Sequence, residues 1–319
     1  MPKRIGTYLV AAALAACSSH SRGSGQVVVV LTIDWEGATM SSEALDAIDA
    51  TRKSFGDAPI THFVSVAYFT KATPDPTATD TLTAAVHQGD EVAVHLHAWR
   101  SLAQASGVMP RLSPSFLTGT DHLQEFADGD TGFDVDLDAY PLVDLRAMLR
   151  TSRSLLEATH VAVSKSFRAG GYLGTPKVLE AIHDEGFTVD SSATDFHRIN
   201  IGGDEFLGKR LSKVWPTIEP ASQPYRITEK SGDLLEMPIA AIADYSTSAQ
   251  IVSVFEAAHA QLHATPGRDV FVVLAFHEET AVDFADRLGL AMANVRARPG
   301  LANELTYTTI QHAAERVRR

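Results

Sequence analysis

The run Val27-Val28-Val29-Val30-Leu31-Thr32-Ile33-Asp34-Trp35-Glu36 constrains the fold more than any other part of the chain. Apolar, mostly β-branched residues without polar alternation predict a strand covered on both faces, as in a parallel α/β sheet or barrel. Two carboxylates end the run, and the carboxyl ends of strands are where such folds place their chemistry. Side chains alternate along a strand, so Asp34 and Glu36 are expected on one face, one free to hold a cation and the other to act as a base. The competing reading is an N-cap for a helix beginning near Ser41.

Further strands are predicted at Ile60 to Thr70, Glu91 to His97, Lys165 to Arg168, Phe187 to Ser191, Leu234 to Pro238 and Val270 to Phe276. Helices are expected at Ser41 to Phe55, Tyr140 to His160, Pro176 to Glu185, Ser248 to His263 and Ala281 to Val295. About seven parallel strands, mostly separated by helices, imply an α/β fold: an irregular (β/α) barrel forming a single domain over residues 26–319. With 319 residues, 45% of them hydrophobic, the chain is long enough to hold it. An insertion at about 100–140 breaks the rhythm, as a lid does. Its acidic run from Asp128 to Asp136 lacks the closing glutamate of a calcium loop and reads as a solvated acidic surface.

The beginning of the chain is of another kind. Met1-Pro2-Lys3-Arg4 and the apolar stretch Ile5 to Ala16 have the layout of a secretory signal, here residues 1–16. Leu14-Ala15-Ala16-Cys17 resembles the lipobox of bacterial lipoproteins, which implies lipidation of Cys17; the alternative is an ordinary signal peptide with a chance cysteine. Residues 17–25, rich in serine and glycine, read as a flexible tether. The expected location is therefore the bacterial cell envelope, by lipid anchor only, with Ser18 favouring an outer membrane. One cysteine excludes an internal disulfide. A net charge of −12 argues against nucleic acid as a partner.

Four polar clusters fall at predicted strand ends: Asp34 with Glu36, His95 with His97, Arg168 with its glycines, and His277 with Glu278. Two histidines on one face, in a chain that already has a two-carboxylate strand end, favour a metal site over hydrogen-bonded core histidines. The donors suit zinc, with cobalt, manganese or nickel as alternatives. Three protein ligands leave a position open, and without a nucleophilic thiol or a serine at a nucleophile elbow the consistent chemistry is attack by water activated at the metal.

The order of these clusters resembles the NodB-homology polysaccharide deacetylases, carbohydrate esterase family four. Thr32-Ile33-Asp34-Trp35-Glu36 is similar to their first motif, His95-Leu96-His97 to their second, Phe167-Arg168-Ala169-Gly170-Gly171-Tyr172 to their third and Leu274-Ala275-Phe276-His277 to their last. Gly186-Phe187-Thr188-Val189-Asp190-Ser191-Ser192 is also similar to part of that fold. The resemblance implies Asp34 as general base, Glu36, His95 and His97 as ligands of a divalent metal, and His277 as general acid. It implies that Arg168 orients Asp34 and that the backbone N–H near Tyr172 helps to hold an oxyanion. This chain departs from the usual pattern, in which two aspartates are adjacent and the histidines are four apart; the Asp-x-Glu and His-x-His spacing resembles a divergent branch.

The implied activity is removal of acetyl groups from an N- or O-acetylated polysaccharide or cell-wall glycan. Two other readings are a non-catalytic glycan-binding surface lipoprotein and a metal-free C–N hydrolase of small amides. Asp244 reads either as a partner for His277 or as a helix cap. Trp35, Trp99, Tyr172, Trp215 and Tyr245 are candidates for stacking on a sugar, Trp35 and Trp99 foremost.

Overall fold

The structure, a computed structural model, describes residues 25–201, 203–228 and 233–318. The expected signal peptide, Cys17 and all but the last residue of the tether lie outside them. Ten strands form one sheet: β1 (Val27–Trp35), β2 (Ile60–Val64), β3 (Glu91–Leu96), β4 (Val163–Ala169), β5 (Val189–Asp190), β6 (Tyr225–Ile227), β7 (Leu234–Glu236), β8 (Ile239–Ile242), β9 (Val270–His277) and β10 (Leu305–Thr308). Their order is β6-β7-β5-β4-β3-β2-β1-β9-β8, with β10 also on β1, and every pairing is parallel except β6 with β7. An isolated bridge joins Thr194, just beyond β5, to Ile239 of β8, the strand at the far end of the order. The sheet thus curls into an irregular, incompletely closed barrel.

The valine run is the axis of this sheet. β1 pairs with β9 from Val27 to Asp34 along one edge, and its other edge is divided between β10 and β2. All nine of its residues are buried. Fully burying one such aliphatic side chain contributes about 1.5–3 kcal/mol, so the strand that carries Asp34 is also among the most strongly held. Capping sets the helices around it. Ser41 accepts a hydrogen bond from Ala44 N (3.0 Å) at the start of the helix Ser42–Ser54. Thr247 and Gln250 form a reciprocal capping box for the helix Ser248–Ala264.

The sheet has three strands more than expected. β6 and β10 are only three and four residues long, too short for a periodic signal. β8 stands just past Pro238, where the sequence suggested a stop. The second strand ends at Val64 rather than Thr70, because Ala67–Thr70 turns into a helix. Helices at Phe196–Ile201, Glu205–Val214 and Ile310–Val317 were not anticipated.

The insertion contains a short α-helix, Arg100–Ala105, a folded loop and a 3-10 turn, Leu137–Ala139. Asp128, at the start of the acidic run, is exposed as expected, but the rest of the run is not a solvated surface, and that part of the expectation is corrected. Asp130, Asp134 and Asp136 are buried. Asp134 accepts from Gln124 N and the Ser115 hydroxyl, Asp130 from Ser101 N and Thr131 N, and Asp136 from Asp138 N and Arg210 Nε. Each carboxylate satisfies loop amides that no strand partner reaches.

Candidate active site

The parallel register brings the polar strand ends to one mouth. Asp34 on β1 pairs with His277 on β9, and His95 on β3 with Arg168 on β4. Glu36, His95, His97, Tyr172 and His277 line a cavity of about 250 Å³ there, together with Glu279, Tyr245, Leu207 and five residues of the insertion: Phe116, Leu117, Gln124, Phe126 and Phe133.

The histidines have assigned tautomers because carbonyl oxygens only accept. His95 donates its Nδ1–H to Arg168 O (3.0 Å) and His97 its Nδ1–H to Phe133 O (2.8 Å). In the neutral imidazoles both Nε2 atoms therefore carry lone pairs. These two atoms are 3.1 Å apart, and Glu36 comes within 3.3 Å of the first and 2.5 Å of the second. Despite that closeness Glu36 Oε2 lacks hydrogen-bonding geometry to any partner. Two facing lone pairs beside an unsatisfied carboxylate oxygen repel one another unless a cation lies between them, so the donor set fits a divalent metal. Burial pushes the Glu36 carboxyl upward, but the imidazoles of His97 and His95 outweigh it and hold the group well below the usual carboxylate range.

Asp34 is wholly buried and paired with Arg168, whose Nη1 lies 2.6 Å from Oδ1. The same guanidinium donates to Thr32 Oγ1, Ser191 O and Ser191 Oγ, and it packs 4.1 Å from the centre of the Phe63 ring. Such complete satisfaction is what makes a buried ion pair tolerable. It also explains the Asp190-Ser191-Ser192 stretch: Ser191 holds Arg168, and Ser192 accepts from Ala169 N. The other oxygen of Asp34 accepts from the Tyr172 hydroxyl (3.3 Å).

Tyr172 sits in a strained turn. Both Gly171 and Tyr172 have positive φ, 58° and 61°, and for tyrosine that conformation is costly. The Trp215 indole holds it by donating to Tyr172 O (2.8 Å). Gly170 is required for space, since a Cβ there would meet the His97 ring at 2.7 Å. The Tyr172 hydroxyl also lies 2.9 Å from His277 Nε2. Burial, with Asp34 adding to it, pushes that hydroxyl's pKa well up, so it stays protonated.

His277 has Nδ1 3.0 Å from Asp244 Oδ1 and Nε2 3.4 Å from Glu36 and 3.9 Å from Asp34. Burial lowers its pKa, but Asp244, then Glu36 and Asp34, outweigh burial and raise it to about 10. Of the two readings of Asp244 the structure favours the partner, because Thr247 caps the following helix. Thr280 also donates to Asp244.

Two expectations fail. Trp35 and Trp99 are fully buried and present no face to the cavity. Trp35 donates to His62 Nδ1 (3.2 Å) and Trp99 to Glu36 O (2.9 Å). Both fill the space beneath the strand ends, and Trp99 braces the backbone of Glu36. Trp215 is likewise a brace, whereas Tyr245 does line the cavity. Sequence reasoning missed Glu279, a half-buried carboxylate that accepts from Glu36 N, Ala38 N and the Tyr68 hydroxyl. Its position two residues after His277 was the available signal. Glu278 turns away from the mouth and accepts from Ser41 N.

No family model and no curated protein matches the sequence. Solved structures do match in fold. A Mycobacterium smegmatis protein assigned as a polysaccharide deacetylase aligns at 16% identity over 92% of this chain and 91% of its own, with a TM-score of 0.53. A Parabacteroides distasonis protein assigned as a glycoside hydrolase/deacetylase aligns at 12% identity over 92% of this chain and 72% of its own, with a TM-score of 0.54. PuuE allantoinase aligns at 13% identity over 92% and 90%, with a TM-score of 0.52. The chain therefore has the α/β fold of the polysaccharide deacetylases, the NodB-homology barrel.

Proposed function

We propose that this chain is a divalent-metal-dependent hydrolase that removes acetyl groups from an N- or O-acetylated carbohydrate. The observation that carries the proposal is the pair of lone-pair-bearing imidazole nitrogens, 3.1 Å apart, facing the Glu36 carboxylate in the mouth of a deacetylase-type barrel. Glu36, His95 and His97 hold the cation, with zinc first among cations that suit these donors and cobalt, manganese or nickel as alternatives. Bound there, such a cation polarises a carbonyl and lowers the pKa of water.

The chain's own groups do the remaining work. Asp34 accepts the proton of the attacking water, and Arg168 holds that carboxylate in place. His277, protonated at neutral pH, donates from Nε2 to the leaving nitrogen or oxygen while Asp244 holds its Nδ1. Tyr172 contributes its hydroxyl beside both and its backbone N–H toward the oxyanion. Phe116, Phe126 and Phe133 wall the site against bulk water.

Acetate release from acetylated chito- and xylo-oligosaccharides tests this reading, with metal content measured on the same sample. Chelation is expected to abolish turnover and added zinc to restore it. The small, largely apolar cavity favours a second reading, a metal-free hydrolase of small amides, which retains activity after exhaustive chelation. Glycan binding without acetate release under any divalent metal would instead support a non-catalytic lipoprotein. Export and lipid anchoring are part of the proposal and rest on the signal and lipobox of residues 1–17. Labelled palmitate should enter the wild-type chain and not Cys17→Ser.

A further inference from the structure

We propose that His259, His263 and Glu304 form a second metal site, for zinc or a similar borderline divalent cation, at the opposite end of the barrel from the mouth. His259 and His263 are four residues apart on the helix Ser248–Ala264 and therefore share one face. Both rings turn to the same carboxylate. His259 Nδ1 is 2.7 Å from Glu304 Oε2, and His263 Nε2 is 3.0 Å from Oε1. One ligating atom from each of the three residues falls within 4.8 Å of the others.

Glu304 comes from a different element. It immediately precedes β10, and its carbonyl accepts from Val27 N (2.9 Å), which fixes its backbone to the start of β1. The catalytic carboxylates stand at the other end of β1, roughly 23 Å away at about 3.3 Å per residue, so the two clusters are separate sites.

The convergence has no sufficient structural reason of its own. Partly exposed ion pairs contribute little to stability, and ordering a rotamer-rich side chain such as Glu304 costs as much as such a pair returns or more. A divalent cation supplies what the pairs lack. Ligands at about 2.0–2.2 Å from a tetrahedral zinc lie about 3.3 Å from one another, so ligating atoms already within 4.8 Å of each other need only a local side-chain adjustment to form a ligand set. Imidazole and carboxylate donors select zinc, copper, nickel or cobalt over calcium and magnesium. The site also lies at the helix C-terminus, whose partial negative charge favours a cation. Arg298, which lines a surface pocket together with His259, is paired with Glu256. Open positions remain for water or a donor from another molecule. Bound metal would tie the helix to β10 and thereby stiffen the C-terminal part of the chain.

Zinc stoichiometry tests this directly. Metal-free full chain is dialysed against zinc alone, as wild type, His263→Ala and His95→Ala/His97→Ala, and thermal midpoints are read with and without zinc. Wild type is expected to bind one zinc more than His263→Ala, and the double variant to retain one that a chelator removes. The zinc-dependent rise in midpoint contributed by this site disappears in His263→Ala. Equal zinc content and equal zinc-dependent midpoint shifts in wild type and His263→Ala overturn the proposal. Should the double variant fail to fold, the comparison of wild type with His263→Ala decides alone. Failure of the catalytic metal reading shows separately, as zinc content unchanged by the substitutions at His95 and His97.

Discussion

Two clusters of two imidazoles and a carboxylate occur at opposite ends of one barrel, and they differ in how the rings are held. At the mouth, His95 and His97 each spend Nδ1 on a backbone carbonyl, and the His97 ring stacks on Phe133 at 4.2 Å. At the foot, His259 and His263 have no such second anchor among the described contacts, and their side chains are 35% and 61% exposed. The first cluster is prearranged for chemistry, its tautomers assigned before anything binds. The second is held by the very groups that would ligate, so it suits a stabilising cation more than a catalytic one.

Removing the chemistry at the mouth should have the largest effect. Asp34→Asn is expected to lower acetate release about 10²- to 10⁴-fold while circular dichroism and metal content stay unchanged; full activity would end the assignment of Asp34 as base. Arg168→Met leaves the buried Asp34 charge without its partner. Denaturant unfolding should report a loss of about 3–5 kcal/mol, far more than any substitution at the exposed cluster.

A third change sharpens the contrast through pH. Because the His277 pKa is raised to about 10, the stability from its ion pair is whole below the unfolded value of about 6.5 and is lost as pH rises through about 10. Asp244→Asn should weaken that support. The alkaline limb of kcat/KM then moves to lower pH by at least about one unit, while the acid limb stays where it is. An unmoved alkaline limb argues that His277 is not the acid. The smallest effect is expected from Trp99→Phe, which removes the brace on Glu36 O. Stability should fall by about 0.5–1.5 kcal/mol with little change in KM; a large rise in KM would restore Trp99 as a sugar platform.

Much of the mouth was legible in the sequence because the rules that place it are local. An unbroken apolar run predicts a doubly covered strand, and polar residues at the ends of such strands have nowhere to go but the rim. That logic located Asp34, Glu36, His95, His97, Arg168 and His277. It misjudged Trp35, which alternation already puts on the face opposite Asp34 and Glu36, and Trp99, which lies beyond the end of β3, where alternation no longer applies. Short strands such as β6 and β10 were invisible because their pairing partners, not their own residues, hold them extended. The acidic insertion was misread in part for the same reason: Asp130 and Asp134 turn inward to meet the amides of Ser101 and Gln124, which lie 29 and 10 residues away.

The sequence alone determined the parallel α/β class, the strand that forms its axis and the residue types available at its ends, since these follow from side-chain polarity and a period of two. Only the tertiary structure decided which of those groups touch, that Asp244 supports His277 and Glu279 braces Glu36, and that His259 and His263 meet Glu304. Each of these is a contact between elements far apart in the chain. Distances across a fold are set by strand register and packing, which no single segment encodes.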